Sequence, residues 1–401
     1  MKMKIGLVCP YNINRHGGVL EVILSLQKGL IKNGHSVKII TPKPRGFKGN
    51  NIDPNVIFLG SSTDFPSPAA TTTQISSSED IKKVDEILNR EHFDILHFHE
   101  PWSPLLSRQL LQRSTCVNIA TFHSKVPEAF MTRTVLKVVT PYLKSIINYL
   151  DELSAVSVSG AEYASQLTGR QITIIPNGID LDVYNYNRSA SQAYPKKSKT
   201  ILFIGRLEGR KGVKYLLQAF KLYSEDHLND QLIIVGDGPD KEKLELMSED
   251  LELNNVSFLG FVSEQKKIEL LKSADLFVSP ALFGESFGIV LLEAMAMNLV
   301  TIAGNNSGYI DLLQGIGGLS IVDPKDSLEF ARRIKLLLHE DKLREVWQNW
   351  AKEYVKQFDY NNVVKLYENF YQEALRKHRL KDKQLMQTKA LANILESDRL
   401  I

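Results

Sequence analysis

The chain has 401 residues, 43% of them hydrophobic and 24% charged, enough to bury two or three cores. Its net charge of +3 is too small to mark a nucleic-acid binder by bulk electrostatics. Cys9 and Cys116 make no disulfide framework, and no apolar run reaches the ~18 residues of a membrane-spanning helix. The opening MKMKIGLVCPYN has only a short apolar run before Pro10, so no signal peptide is expected and the expected location is cytoplasmic.

Residues 4–10, 36–42, 56–60, 93–101, 118–123, 153–158 and 172–178 are short β-branched runs that predict strands. Helical patterns over 19–34 and 79–90 lie between them. A polar, proline-containing stretch at 184–199 predicts a linker, and the rhythm then restarts. Further strands are predicted at 200–206, 231–238, 256–261, 275–280, 299–304 and 318–323. Apolar strands separated by helical crossovers mean parallel sheets covered on both faces. The expected fold class is α/β, with two Rossmann-like parallel-sheet domains, residues 1–190 and 191–358, facing across a cleft. A C-terminal helix over 359–378 is expected to return and brace the first domain; the charged tail 379–401 is left unassigned.

Ligands of open parallel sheets bind beyond the carboxyl ends of the strands. After the first predicted strand, Gly17–Gly18 opens a helix, either as a plain tight turn or as a place where backbone approaches an anion. GxGxxG is absent there, which argues against a nicotinamide enzyme. In IGRLEGRKG, Arg206 and Lys211 follow a strand and precede a helix, a pattern that suits either a diphosphate clamp or solvated surface charge. In GESFGIVLLEAMA, a helix is predicted from about Ser286 or Phe287, with Ser286 as cap and the amides of Phe287, Gly288 and Ile289 facing an anion. Glu293 then stands on the order of 7–9 Å from those amides, about a diphosphate away. The bland alternative makes Glu285 a first-turn acid and Glu293 an ion-pair partner.

Together, GESFGIVLLEAMA, GRLEGRKG, IIVGDGP, IIPNGID and the early Gly-Gly resemble the family 4 retaining glycosyltransferases of GT-B architecture, over about residues 3–375. GLVCPYN, FDILHFHEP and ATFHS are similar to the bacterial phosphatidylinositol mannosyltransferases and their relatives. The resemblance implies that Arg206 and Lys211 bind the donor diphosphate, Glu293 the ribose and Glu285 the donor hexose. It implies that Gly18, beside Gly17, approaches the phosphates and that His123 lies near the reacting centre, with Tyr11 and His123 as acceptor-side candidates. The first domain would then take the acceptor and the second the nucleotide sugar. Asn298-Leu299-Val300 and Ser307–Asp311 depart from the family's usual Gly-Thr-Pro and Gly-Gly-Xaa-Glu.

The implied partners are a nucleotide-diphospho-sugar, GDP-mannose first and a UDP-hexose second, and a lipid acceptor at a membrane surface, with attachment at the inner face of the plasma membrane. A soluble small acceptor is the alternative. A nucleotide-sugar epimerase and a non-catalytic sugar-nucleotide-binding protein are the alternatives of other classes. No metal or other cofactor is expected, since cations and helix dipoles can stabilise the leaving diphosphate. His97 and His99 share a predicted strand face and His123 ends the neighbouring predicted strand, but a zinc site would want a further ligand. Residues 126–150 mix apolar side chains with Arg133, Lys137 and Lys144, and read either as an interfacial helix or as packing on the first sheet.

Overall fold

The computed structural model describes residues 2–13, 17–44, 53–66, 72–76, 80–101, 105–123, 141–142, 144–184 and 198–397. The first sheet contains β1 (Lys4–Val8), β2 (Ser36–Lys43), β3 (Val56–Pro66), β4 (Thr72–Ser76), β5 (Ile95–His99), β6 (Val117–Phe122), β7 (Glu152–Ala155) and β8 (Thr173–Ile174). Their order is β4-β3-β2-β1-β5-β6-β7-β8, with every pair parallel except the β3–β4 hairpin. The second sheet contains β9 (Thr200–Ile204), β10 (Gln231–Val235), β11 (Val256–Gly260), β12 (Leu276–Ser279), β13 (Thr301–Gly304) and β14 (Ile321–Val322). It is wholly parallel, in the order β11-β10-β9-β12-β13-β14.

The helices that cover or cap these sheets are α1 (Gly18–Lys32), α2 (Ile81–Glu91), α3 (Leu106–Arg113), α4 (Val158–Thr168), α5 (Val213–Ser224), α6 (Lys241–Asp250), α7 (Glu264–Ser273), α8 (Ile289–Ala296), α9 (Ser307–Leu312), α10 (Ser327–His339), α11 (Asp341–Tyr354) and α12 (Tyr360–Ser397). Alternation along each strand divides the first domain's core in two. Ile5, Leu7, Ile95 and Ile119 pack with α1 and α12, while Val8, Leu96, Phe98 and Phe122 pack with α2 and α3. The second domain has one large core that includes Phe203, Phe220, Phe277 and Trp347.

All the predicted strands are present; β4 is an addition. Its sequence, TTQIS, is polar and carries no apolar alternation to announce it. Residues 185–197 of the predicted linker lie outside the described residues, but Tyr184 is buried in the second core. At the junction the chain crosses twice: the Ile179 amide donates to Phe358 O at 2.8 Å and the Tyr360 amide to Ile179 O at 3.0 Å. From there α12 runs back onto the first sheet. Gly29 of α1 permits the contact, because a Cβ at that position would stand 2.4 Å from Val364 of α12. Most of the 126–150 segment, with Arg133 and Lys137, lies outside the described residues; Lys144 is exposed, while Ile146 and Leu150 are buried against the first sheet.

Candidate active site

The carboxyl ends of both sheets open on one cleft of about 740 Å³. From the first domain come Tyr11, Gly17, Gly18 and the start of α1; from the second come Arg206, Lys211, Glu264, Lys267, Ile289 and Glu293. Gly18 faces Ile289 across it: a Cβ on Gly18 would meet the Ile289 side chain at an ordinary 3.4 Å. The N-termini of α1 and α8 therefore both border the cleft, and their unsatisfied amides and positive dipole ends favour a polyanion there.

The start of α8 differs from the expectation. The helix begins at Ile289, with Gly288 in the cap position at φ +104° and no side-chain cap, so Ser286 does not cap it. Phe287 is buried edge-on against Phe358, at 5.6 Å between ring centroids, and Gly288 lies against Tyr309. These three residues and Glu285 lie outside the cleft lining; Ile289 and Val290 supply its edge. Glu293 consequently stands four residues from the first helical amide, about 6 Å by helical rise, not 7–9 Å.

Glu285 sits in a row of alternating charges. Its Oε1 is 2.6 Å from Arg210 Nη1 and 2.7 Å from Lys211 Nζ. Arg210 Nε is 2.6 Å from Glu208 Oε1, and Arg206 Nε is 3.5 Å from Glu208 Oε2. Burial would push the Glu285 carboxyl up, but Lys211 and Arg210 outweigh it and hold it below its ordinary value. Burial likewise opposes the charge of Arg210, and Glu285 and Glu208 more than restore it. Three cations against two carboxylates leave one net positive charge, and the Arg206 side chain, 45% exposed, is the cation most open to the cleft. Arg210 and Glu208 were not anticipated, because alternating signs in RLEGRK read as surface charge.

Glu293 is 4% exposed. Its Oε1 accepts from Lys267 Nζ at 2.8 Å and from the Tyr184 hydroxyl at 3.1 Å, while its Oε2 is buried without a partner. Burial pushes this carboxyl up to about 7, more than Lys267 pulls it down. Lys267 also reaches Glu264 at 2.9 Å, and the single hydroxyl hydrogen of Tyr184 is shared between Glu264 and Glu293. Tyr184, Glu264 and Lys267 carried no motif; Ser263 as the cap of α7 was the only local signal.

On the first-domain side, Thr41 Oγ1 donates to Tyr11 O at 2.7 Å and anchors the chain just beyond β1. His123 is 8% exposed and lies outside the cleft lining; its Nε2 is 2.8 Å from His99 Nδ1. Burial lowers the proton affinity of His123 to about 3. His97 is engaged by Tyr371 and Thr121, so the three histidines are paired within the fold. Elsewhere, His227, Asp230 and His339 bring donor atoms within 4.8 Å of one another. Their two imidazoles stack at 4.4 Å and 15°, so the lone pairs run parallel and do not converge on an ion. The departing segment Ser307–Asp311 is helical, within α9, and is occupied structurally: the Asp311 carboxylate accepts from the Ser159 amide at the start of α4, at 2.7 Å, tying the two domains.

A family model described as Glycosyl transferases group 1 matches residues 187–354, and one described as Glycosyltransferase Family 4 matches residues 16–183. A phosphatidyl-myo-inositol mannosyltransferase of Mycolicibacterium smegmatis is 30% identical over 371 residues, covering 91% of this chain and 94% of that protein. The chain belongs to the family 4 glycosyltransferases. The transferase is also 28% identical to an N-acetyl-alpha-D-glucosaminyl L-malate synthase of Bacillus anthracis, covering 94% of this chain and 98% of that protein. Among solved structures, a glycosyltransferase from Rickettsia africae has a TM-score of 0.71 at 21% identity, covering 93% and 99% of the two chains. Anabaena HepE in complex with UDP-glucose has a TM-score of 0.73 at 18% identity, covering 92% and 100%. These likenesses establish the GT-B fold. No helix among the described residues is long and apolar enough to cross a membrane.

Proposed function

We propose that the transferase moves mannose from GDP-mannose, with retention of configuration, to a lipid acceptor presented at a membrane surface. The observation that carries donor binding is the Glu293 Oε2, a buried acceptor without a partner in a residue that lines the cleft. A ribose diol supplies the donors that such an oxygen lacks. With ribose there, the diphosphate reaches the N-terminus of α8 and the cations Arg206 and Lys211. The base extends toward Glu264, whose side chain is 59% exposed. A carboxylate complements the N1–H and N2–H donors of guanine, whereas the two carbonyls of uracil would repel it; this favours GDP over UDP.

Departure of the diphosphate is stabilised by Arg206, Lys211 and the facing amides, and the acceptor attacks on the face the diphosphate leaves. Glu285, just beyond the cleft lining, holds Arg210 and Lys211 and through them positions the clamp beside the hexose. No metal is given a role. The 30% identity to the mannosyltransferase supports the hexose and the lipid acceptor. The 28% identity to the malate-linked synthase supports a second reading, a UDP-sugar and a small soluble acceptor.

Thermal shift with GDP-, UDP- and ADP-sugars, followed by transfer assays, tests the donor. GDP-mannose should give the largest shift, and Glu264→Gln should narrow its lead over UDP-sugars. A larger shift with a UDP-hexose in the parent would overturn the donor. Transfer to a soluble acceptor, with none to lipid in anionic vesicles, would overturn the acceptor.

A further inference from the structure

We propose that His99 is a positioning residue for His123, holding its ring through one hydrogen bond and deciding which ring nitrogen keeps the proton. This rests on the reading of His123 as a group near the reacting centre.

β5 ends at His99, and β6 ends one residue before His123; the two strands run parallel with His99 opposite Thr121. His99 Nδ1 lies 2.8 Å from His123 Nε2, and the rings stack at 5.0 Å and 24°. The residue after His99, Glu100, has φ +52°, a left-handed conformation that a non-glycine residue adopts only where its surroundings impose it. That bend puts Glu100 Oε1 3.1 Å from the backbone N of His123, whose N–H donates to it. The end of β5 thus grips His123 twice, by its ring through His99 and by its backbone through Glu100.

Only one hydrogen can lie between the two ring nitrogens. Burial keeps both rings neutral at pH 7, with His123 lowered to about 3 and His99 held well below its ordinary value. His99 Nε2 is buried without a partner. A proton there would strand an N–H donor, whereas a proton on Nδ1 strands only an acceptor, the less costly vacancy. His99 therefore donates from Nδ1 to His123 Nε2, and His123 carries its own proton on Nδ1. His97 cannot substitute: its Nδ1 is 2.7 Å from the Tyr371 hydroxyl and its Nε2 is 2.6 Å from the Thr121 hydroxyl. With Nε2 occupied as an acceptor, His123 presents an N–H donor. It holds a hydroxyl oxygen of sugar or acceptor and takes no proton from it.

Selective 15N-histidine NMR of the full chain, with His123 assigned by its loss in His123→Gln, reads the tautomer directly. The parent should show His123 protonated at Nδ1. His99→Leu should lose that fixed tautomer and lower kcat by on the order of tenfold to a hundredfold with the donor KM unchanged. His99→Asn, whose amide N–H falls near the Nδ1 position, should restore both and guards against a mere folding defect. His123 protonated at Nε2 in the parent, or a His99→Leu enzyme with parental tautomer and kcat, overturns the proposal. A His123→Gln enzyme with parental transfer, beside the expected tautomers, upholds the hydrogen bond and overturns the role given to His123.

Discussion

In the proposed donor site, Glu293 meets two demands on one side chain: it lies in a packed helix and accepts from the ribose. Burial raises its carboxyl to about 7, above the ordinary 4.5. Between those values the folded chain holds a proton that the unfolded chain has lost. Its contribution to stability is therefore full below the ordinary value and disappears as pH rises through about 7. Ligand binding runs the other way, because the ionised carboxylate is the stronger acceptor. The parent without ligand should melt higher at about pH 6 than at about pH 8, while GDP should bind more tightly at the higher pH. Glu293→Gln should flatten both trends; melting curves and calorimetry across that range check it.

The Arg206–Lys211 row makes a second residue-scale prediction. Arg206→Ala and Lys211→Ala should each weaken nucleoside diphosphate binding, by ~1.5–3 kcal/mol, and transfer with it. Glu285→Gln should keep or tighten that binding, since it frees positive charge on Arg210 and Lys211, yet lower transfer. Calorimetry with GDP beside a transfer assay separates the two, and equal loss of affinity in all three would refute the arrangement. The family pattern pointed to Arg206, Lys211 and Glu293, which line the cleft, and to Glu285, which lies beside it in the ion-pair row. Arg210 and Lys267 were not legible, because an ion pair between distant segments leaves no periodic trace in the chain.

At the scale of elements, strand positions were legible from β-branched runs, while their ends were not. The predicted strand 200–206 stops at Ile204, and 231–238 stops at Val235, because the residues that follow turn into the site. The start of α8 was misplaced for a related reason. A serine ahead of an apolar run reads as a cap, but Phe287 is drawn into the core by Phe358 and the helix waits for Gly288. The turn Gly209–Lys211 shows the same dependence on backbone: Gly212 closes it at φ +72°, and a Cβ there would stand 2.1 Å from Pro280 O. Gly212→Ala should therefore destabilise the chain by about 2 kcal/mol or more and displace Lys211. Urea unfolding measures the first effect and GDP affinity the second.

For the whole molecule, two parallel sheets and a returning helix were legible from the doubled rhythm of strands and the late amphipathic segment. The depth of the helix's involvement was not. Val363, Val364, Tyr367, Phe370, Tyr371, Ala374 and Leu375 are all core residues of the first domain. At roughly 1.5–3 kcal/mol for each large side chain, their burial rivals the entire stability of a domain. A chain ended after Phe358 should leave its first domain unfolded, whereas one ended after Asp382 should keep its melting temperature and GDP affinity.

The same helix sets the order of events at the ribosome. One face of the first sheet, built from residues 3–175 and partly covered by α1, receives α12 only after the whole second domain has been translated. That apolar face must stay open through synthesis of the whole second domain, including the period when the second domain can already close around its own core. Until α12 docks, the polypeptide presents part of a sheet face uncovered, and a holdase that shields such faces should bind it during translation and let go once α12 has emerged and packed.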